Sequence, residues 1–217
     1  MQKFGIFRRV VSVGVATAFA LALGACASQR NGGSLPPSTS YGSQTTSPES
    51  YTYLIGPGDS VQIFVWRNPE ISQGVTVRPD GKITTPLVED LQASGKTPTQ
   101  LARDLEKALE TYIRQPIVTV IVAGGVGPYS EQIRVVGQAS KPQAIAYKRQ
   151  MTLLDVMIAV GGLTEFADGN STKIVRIVDG KQTEYVVRVD DLLNDGDISA
   201  NVDMLPGDIL IIPESWF

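Results

Sequence analysis

The chemistry open to this 217-residue chain is narrowed by two counts: it has one cysteine, Cys26, and no histidine. Without histidine there is no histidine-based triad and no histidine-ligated zinc, and the commonest general base at neutral pH is missing. Carboxylate and lysine chemistry remain. Glu89 and Asp90 are the nearest approach to an acid pair. Adjacent residues in an extended segment point to opposite sides, so they cannot flank a glycosidic bond as a hydrolase requires. The sequence implies no metal, cofactor or catalytic residue. An enzyme is the less expected class, and the chemistry at Cys26 is modification of its thiol.

The surroundings of Cys26 say which modification. Lys3, Arg8 and Arg9 supply positive charge, Val10 to Leu23 form fourteen residues without a charge, and Leu23-Gly24-Ala25-Cys26 closes the run. A basic start, a short apolar core and small residues before a cut describe a secretory signal. The core falls short of the roughly 20 residues of a membrane span. Leu23 to Cys26 resembles the lipobox of bacterial lipoproteins. That resemblance implies cleavage between Ala25 and Cys26 and a diacylglycerol thioether on Cys26. A spanning helix or an ordinary buried thiol are the competing readings. Ala27 is not the aspartate that retains such proteins at the inner membrane, which favours the outer one.

Residues 1–25 contain three of the 19 basic residues and none of the 22 acidic ones, so 16 against 22 leaves the remainder at −6. That balance argues against nucleic acid as a partner, since phosphate binding needs a basic surface. Residues 26–50 are mostly Ser, Thr, Gly, Pro, Gln and Asn and read as a flexible tether, with order beginning at Tyr51.

The elements that follow place one α+β unit after another. Gly56-Pro57-Gly58-Asp59 has the Pro-Gly order of a type II turn. Ser60 to Trp66 alternates as a strand, and Val75–Arg78 and Lys82–Thr85 read as a hairpin through Pro79-Asp80-Gly81. Thr97, Pro98 and Gln100 open a helix with a capping box, whose apolar face runs from Leu101 to Tyr112 and which Pro116 stops. Ile117 to Val122 reads as a buried strand. A small β-rich domain with one covering helix is expected over residues 51–123.

Gly124-Gly125-Val126-Gly127-Pro128 marks a domain boundary. Beyond it, Gln132–Val136 and Gln143–Tyr147 read as paired strands, and Thr152 caps a helix from Leu153 to Val160 that Gly161-Gly162 ends. Lys173–Val178 and Thr183–Val189 form a hairpin through Asp179-Gly180, and Leu205-Pro206-Gly207-Asp208 repeats the earlier turn before the strand Ile209–Ile212. Two strands, a helix and further strands are the order of a β-grasp domain over 129–213, with 214–217 as a tail.

Tyr53-Leu54-Ile55-Gly56-Pro57-Gly58-Asp59, Val61–Trp66, Val77-Arg78-Pro79-Asp80-Gly81-Lys82-Ile83 and Thr97–Leu105 together resemble the N-terminal domain of bacterial outer-membrane polysaccharide export proteins. Residues 131–213, with Val136-Gly137, Thr152-Leu153-Leu154, Ala159-Val160-Gly161-Gly162 and Pro206-Gly207-Asp208, resemble the soluble-ligand-binding β-grasp (SLBB) domain of the same family. The resemblance implies a lipid-anchored periplasmic protein at the outer membrane. It implies assembly as a homo-oligomeric ring that guides exported polysaccharide from an inner-membrane co-polymerase. One β-grasp domain, with only Pro213 to Phe217 after its last strand, is similar to short members that work beside a separate outer-membrane β-barrel.

Asp59 and Asp208 are expected to bond nearby backbone amides, with a subunit contact as the alternative. Lys141, Lys148 and Arg149 read as a solvated basic patch. Trp66, Tyr129, Tyr147 and Phe166 read as core or interface anchors sooner than as sugar-stacking platforms. Trp216 and Phe217 either pack back on their domain or serve as a partner contact. A monomeric periplasmic saccharide-binding and signalling module is the alternative function, and a carboxylate-dependent glycan hydrolase the third.

Overall fold

The computed structural model describes residues 42–43, 45–178 and 180–216. They fall in one compact unit that holds two separate hydrophobic cores. The first core is built by β1 (Ser60–Val65), β2 (Gln73–Thr76), β3 (Lys82–Thr85), β4 (Val88–Gln92), α1 (Pro98–Leu109) and β5 (Val118–Gly124). Val61, Ile63 and Val65 point inward from β1 while Gln62 and Phe64 point out, the period of two the sequence carries. Thr97 caps α1 by accepting from the Gln100 amide, and Gln100 returns a bond to the Thr97 amide, which closes the capping box. Leu101, Leu105 and Leu109 then face the core.

Three expectations are corrected here. β2 ends at Thr76 and pairs antiparallel with β1, giving the order β2-β1-β5. The Pro79-Asp80-Gly81 turn does form, with Gly81 N donating to Arg78 O at 2.8 Å, but β3 pairs with β4. Helix α1 stops at Leu109, leaving Tyr112 exposed. β5 is half-buried: Val118 and Val120 face the core, and Ile117 and Ile121 face outward, because α1 covers only one side of the sheet.

The second core lies under a five-stranded sheet of order β7-β6-β10-β8-β9. Its elements are β6 (Gln132–Gly137), β7 (Ala144–Ala146), α2 (Leu153–Val160), β8 (Thr172–Val178), β9 (Lys181–Val187), α3 (Val189–Leu193) and β10 (Ile209–Ile212). The central strand β10 runs parallel to β6 and antiparallel to β8. Gly161, at φ 79°, ends α2 in the left-handed conformation that glycine adopts without strain. The mixed sheet with α2 against it is the expected β-grasp order, and α3 is an addition. No helix among the described residues is long and apolar enough to cross a membrane.

Candidate functional site

A carboxylate at the junction of the two cores accepts four hydrogen bonds. Gly56-Pro57-Gly58-Asp59 closes as a turn, with Asp59 N donating to Gly56 O at 3.2 Å and Gly58 at φ 88°. That turn delivers the Asp59 side chain, which is fully buried, against the connection between the domains. Its Oδ2 accepts from Gly56 N at 2.8 Å and from the Tyr53 hydroxyl, and its Oδ1 accepts from Val126 N at 3.0 Å and Gly127 N at 3.2 Å. Four donors around one buried carboxylate satisfy the charge without a cation. Burial, and then the bond to Asp59, raise the Tyr53 hydroxyl pKa well above its ordinary value.

The second Pro-Gly-Asp turn has the same backbone and a different partner. Asp208 N donates to Leu205 O at 3.2 Å, Gly207 sits at φ 87°, and Leu205 N donates to Asp208 Oδ2 at 2.7 Å. Here Arg176 supplies the compensating charge, gripping both oxygens of buried Asp208 at 2.8 and 2.7 Å. Its guanidinium also reaches Asp203 O and lies 5.8 Å over the Tyr185 ring. The bond to Asp208 raises the Arg176 pKa above its ordinary value. A β-carbon on Gly207 would stand 2.7 Å from Ser130 O, and Asp208 O accepts from Arg134 N at 3.0 Å. Both turns thus converge on residues 126–134. The expected bonding of Asp59 and Asp208 to backbone amides is present, and sequence reasoning missed the reach of Asp59 to the linker and the pairing with Arg176.

A short strap crosses the same junction. The stretch before Tyr51 contains a 3₁₀ turn at Pro48–Ser50. Ser43 Oγ donates to Glu131 Oε2 at 2.8 Å, and the Tyr51 ring meets Tyr147 edge-on at 4.8 Å between centroids. Tyr51 packs on the second core, whereas Tyr53, two residues later, packs on the first. Burial, with nearby Glu131 adding to it, pushes the Tyr51 pKa up to about 12.

Beside the strap lies an open cleft of about 760 Å³. Thr45, Ser50, Thr52 and Leu54 form one wall, and Gly95 to Thr97, Gln100, Arg103 and Asp104 form the other. Lys96 Nζ pairs with Asp104 at 2.6 Å, and Arg103 pairs with Glu106 at 2.7 Å.

The chain matches the polysaccharide biosynthesis/export protein family over residues 47–123 and the SLBB domain over residues 131–212. These intervals coincide with the two cores on either side of the Asp59-bound linker. This chain belongs to the polysaccharide export family. It is 25% identical to the EPS I polysaccharide export outer membrane protein EpsA of Ralstonia solanacearum, over 73% of this chain and 47% of that protein. The corresponding EpsA of Ralstonia nicotianae is 24% identical over 75% of this chain and 47% of its own length. The chain spans about half the length of the curated relatives it matches.

The other sequence-chosen residues of this export-family chain fall into three groups. Ala25, Cys26, Asp179 and Phe217 lie outside the described residues, as does most of the 26–50 tether. Tyr147 is a core residue, while Trp66, Tyr129 and Phe166 are exposed. Trp216 is 89% exposed and does not pack back on its domain, although Ser215 N, three residues past β10, donates to Phe166 O at 2.7 Å. Lys141, Lys148 and Arg149 are solvent-facing, and Glu89 and Asp90 are exposed, with Asp90 paired to Arg78 at 2.5 Å. No group of three or more metal-ligating side chains occurs among the described residues.

Proposed function

We propose that this chain is a non-catalytic, lipid-anchored subunit of a polysaccharide export complex at the outer membrane. The observation that carries the reading is the order of its parts: a lipobox at Cys26, a polar tether, the export domain and one SLBB domain, in a chain similar to proteins named for export of the polysaccharide EPS I. Cys26 is the lipidated residue after cleavage at Ala25. The subunits form a homo-oligomeric ring that receives polymer from an inner-membrane co-polymerase and passes it to a separate outer-membrane β-barrel. Trp216 and Phe217 form a partner contact in that assembly, since an aromatic as bare as Trp216 gains from being covered. The driving force comes from polymer synthesis and the inner-membrane machinery, so the chain needs no catalytic group.

Deleting the gene and measuring surface polysaccharide tests this reading. Export predicts polymer lost from the surface and retained inside, restored by the wild-type gene. Unaltered surface polymer overturns it. Light scattering on the detergent-solubilised protein separates the ring from a monomeric saccharide-binding module: a protein that stays monomeric at high concentration points to the module.

A further inference from the structure

We propose that the outer face of the sheet β2-β1-β5 is a contact with a second copy of this chain, made about a two-fold axis. α1 covers the inner face alone. Phe64, Trp66, Ile117 and Ile121 stand together on the other face, each between 44% and 58% exposed. They expose on the order of 400 Å² of apolar surface, the size at which a patch on a single chain marks an interaction site. A standard interface takes about 800 Å² from each partner, a little over half of it apolar. Four side chains on one sheet thus supply nearly the whole apolar share of such a contact. The Phe64 and Trp66 rings already meet edge-on at 6.4 Å between centroids, so little freedom is lost when they are covered.

The charge and shape of the face select a second copy as the occupant. Ser60, Gln62, Phe64 and Trp66 on or next to β1 lie between Gly74 and Thr76 of β2 and the row Ile117, Thr119 and Ile121 along β5. None of these side chains is charged, so two identical faces meet without like-charge repulsion. The bulk is gathered at one end, where Trp66 N donates to Ile117 O at 2.9 Å, and the other end has Ser60, Gly74 and Thr76. A second copy turned end for end lays its bulky end on the small one, in the way that the packed sheets of a sandwich interdigitate. Between the ends, Gln62 and Thr119 each carry a donor and an acceptor, which is what two identical groups need to bond each other. A ring of more than two subunits is built from head-to-tail contacts between different patches. The pairing is therefore additional to the proposed ring, and it does not rest on the export reading.

Cross-linking of the full-length lipoprotein in detergent tests the pairing, with a short bismaleimide on Thr119→Cys. A two-fold contact brings residue 119 close to its own copy, across sheets about 10 Å apart, whereas a head-to-tail contact brings it to a different residue. Thr119→Cys is expected to give a two-chain product. Lys107→Cys, on the exposed side of α1, and the parent chain, whose one cysteine is Cys26, are expected to give none above background. Adding Trp66→Glu sets like charges face to face and is expected to cut the product about tenfold or more. By light scattering, Trp66→Glu alone is expected to halve the mass of the assembly, whatever its subunit number. Thermal melts confirm that each variant is folded. A Thr119→Cys product no stronger than that of Lys107→Cys, one that survives Trp66→Glu, or an unaltered mass in Trp66→Glu overturns the pairing and leaves the face to another occupant. Unaltered mass beside a lost-export deletion phenotype removes the pairing alone. Halved mass beside normal export removes the export reading and leaves the pairing.

Discussion

Asp59 occupies the space that a side chain on Gly125 would need. A β-carbon built on Gly125 would overlap the Asp59 carboxylate, whose Oδ1 accepts from the next two amides, Val126 and Gly127. The glycine in the linker is therefore a matter of close approach, since it lets the backbone fold around a buried charge. Gly125→Ala is expected to destabilise the protein by about 2–4 kcal/mol, because either the carboxylate or the linker must move and lose bonds. Asp59→Ala is expected to cost at least about 3 kcal/mol, since it strands three amides and the Tyr53 hydroxyl. Urea unfolding measures both. A loss under about 1 kcal/mol for Asp59→Ala would show that the linker is held by other contacts.

At the matching turn the compensation is ionic, and the response to substitution differs. Removing Arg176 leaves Asp208 buried without its counter-charge, which typically costs about 3–5 kcal/mol. Arg176→Met is therefore expected to destabilise strongly, and Arg176→Met with Asp208→Asn to recover part of the loss. A double-mutant cycle in urea reads the coupling. Additive effects would mean that the pair does not interact.

The contrast between these turns shows what was legible in the chain. Type II geometry at Gly58 and Gly207, the Thr97–Gln100 box and the Gly161 stop are each decided within four residues, and each is present. Asp59 reaches Val126 across 67 positions, and no local pattern encodes that contact. β2 shows the same limit. The turn at Asp80 is real, but Val75 gains more by facing Val61 on β1 than by continuing into a hairpin. The apolar run at Ile117 to Val122 read as buried because composition does not reveal how many faces of a strand are covered. The cleft was invisible for the same reason, since its two walls come from distant stretches, Thr45–Leu54 and Gly95–Asp104.

Alkaline pH is expected to weaken the fold through two half-buried tyrosines. The Tyr51 hydroxyl titrates at about 12 in the folded state against an ordinary value of about 10, and Tyr53 is raised in the same direction. The unfolded chain releases these protons first. The stability they support is intact below pH 10 and declines as pH rises through 12. Tyrosinate absorbance is expected to show a late-titrating fraction, part of which Tyr51→Phe removes. Uniform titration of all tyrosines near 10 would contradict the partial burial of Tyr51 and Tyr53.

Cys26→Ser separates the two ways in which the proposed complex is held at the membrane. Cys26 lies outside the described residues and far in sequence from both cores, so the substitution is expected to leave the melting temperature unchanged. Fractionation is expected to find the variant in the soluble periplasm. Full retention in the membrane fraction would assign the holding to a partner barrel.

Trp216 offers a test of assembly that folding cannot confound. With 89% of its surface exposed, its truncation to alanine removes almost no intramolecular packing, so stability should stay within about 0.5 kcal/mol of wild type. A partner contact, by contrast, loses a large aromatic anchor, and such anchors typically carry about 2 kcal/mol or more of an interface. Trp216→Ala is therefore expected to reduce surface polysaccharide and to shift the detergent-solubilised protein toward smaller species, at unchanged melting temperature. The segment after β10 is held by the backbone bond from Ser215 to Phe166 whatever residue stands at 216, so a lost oligomer cannot be blamed on a detached segment. Wild-type export and wild-type size in this variant would remove Trp216 from the assembly.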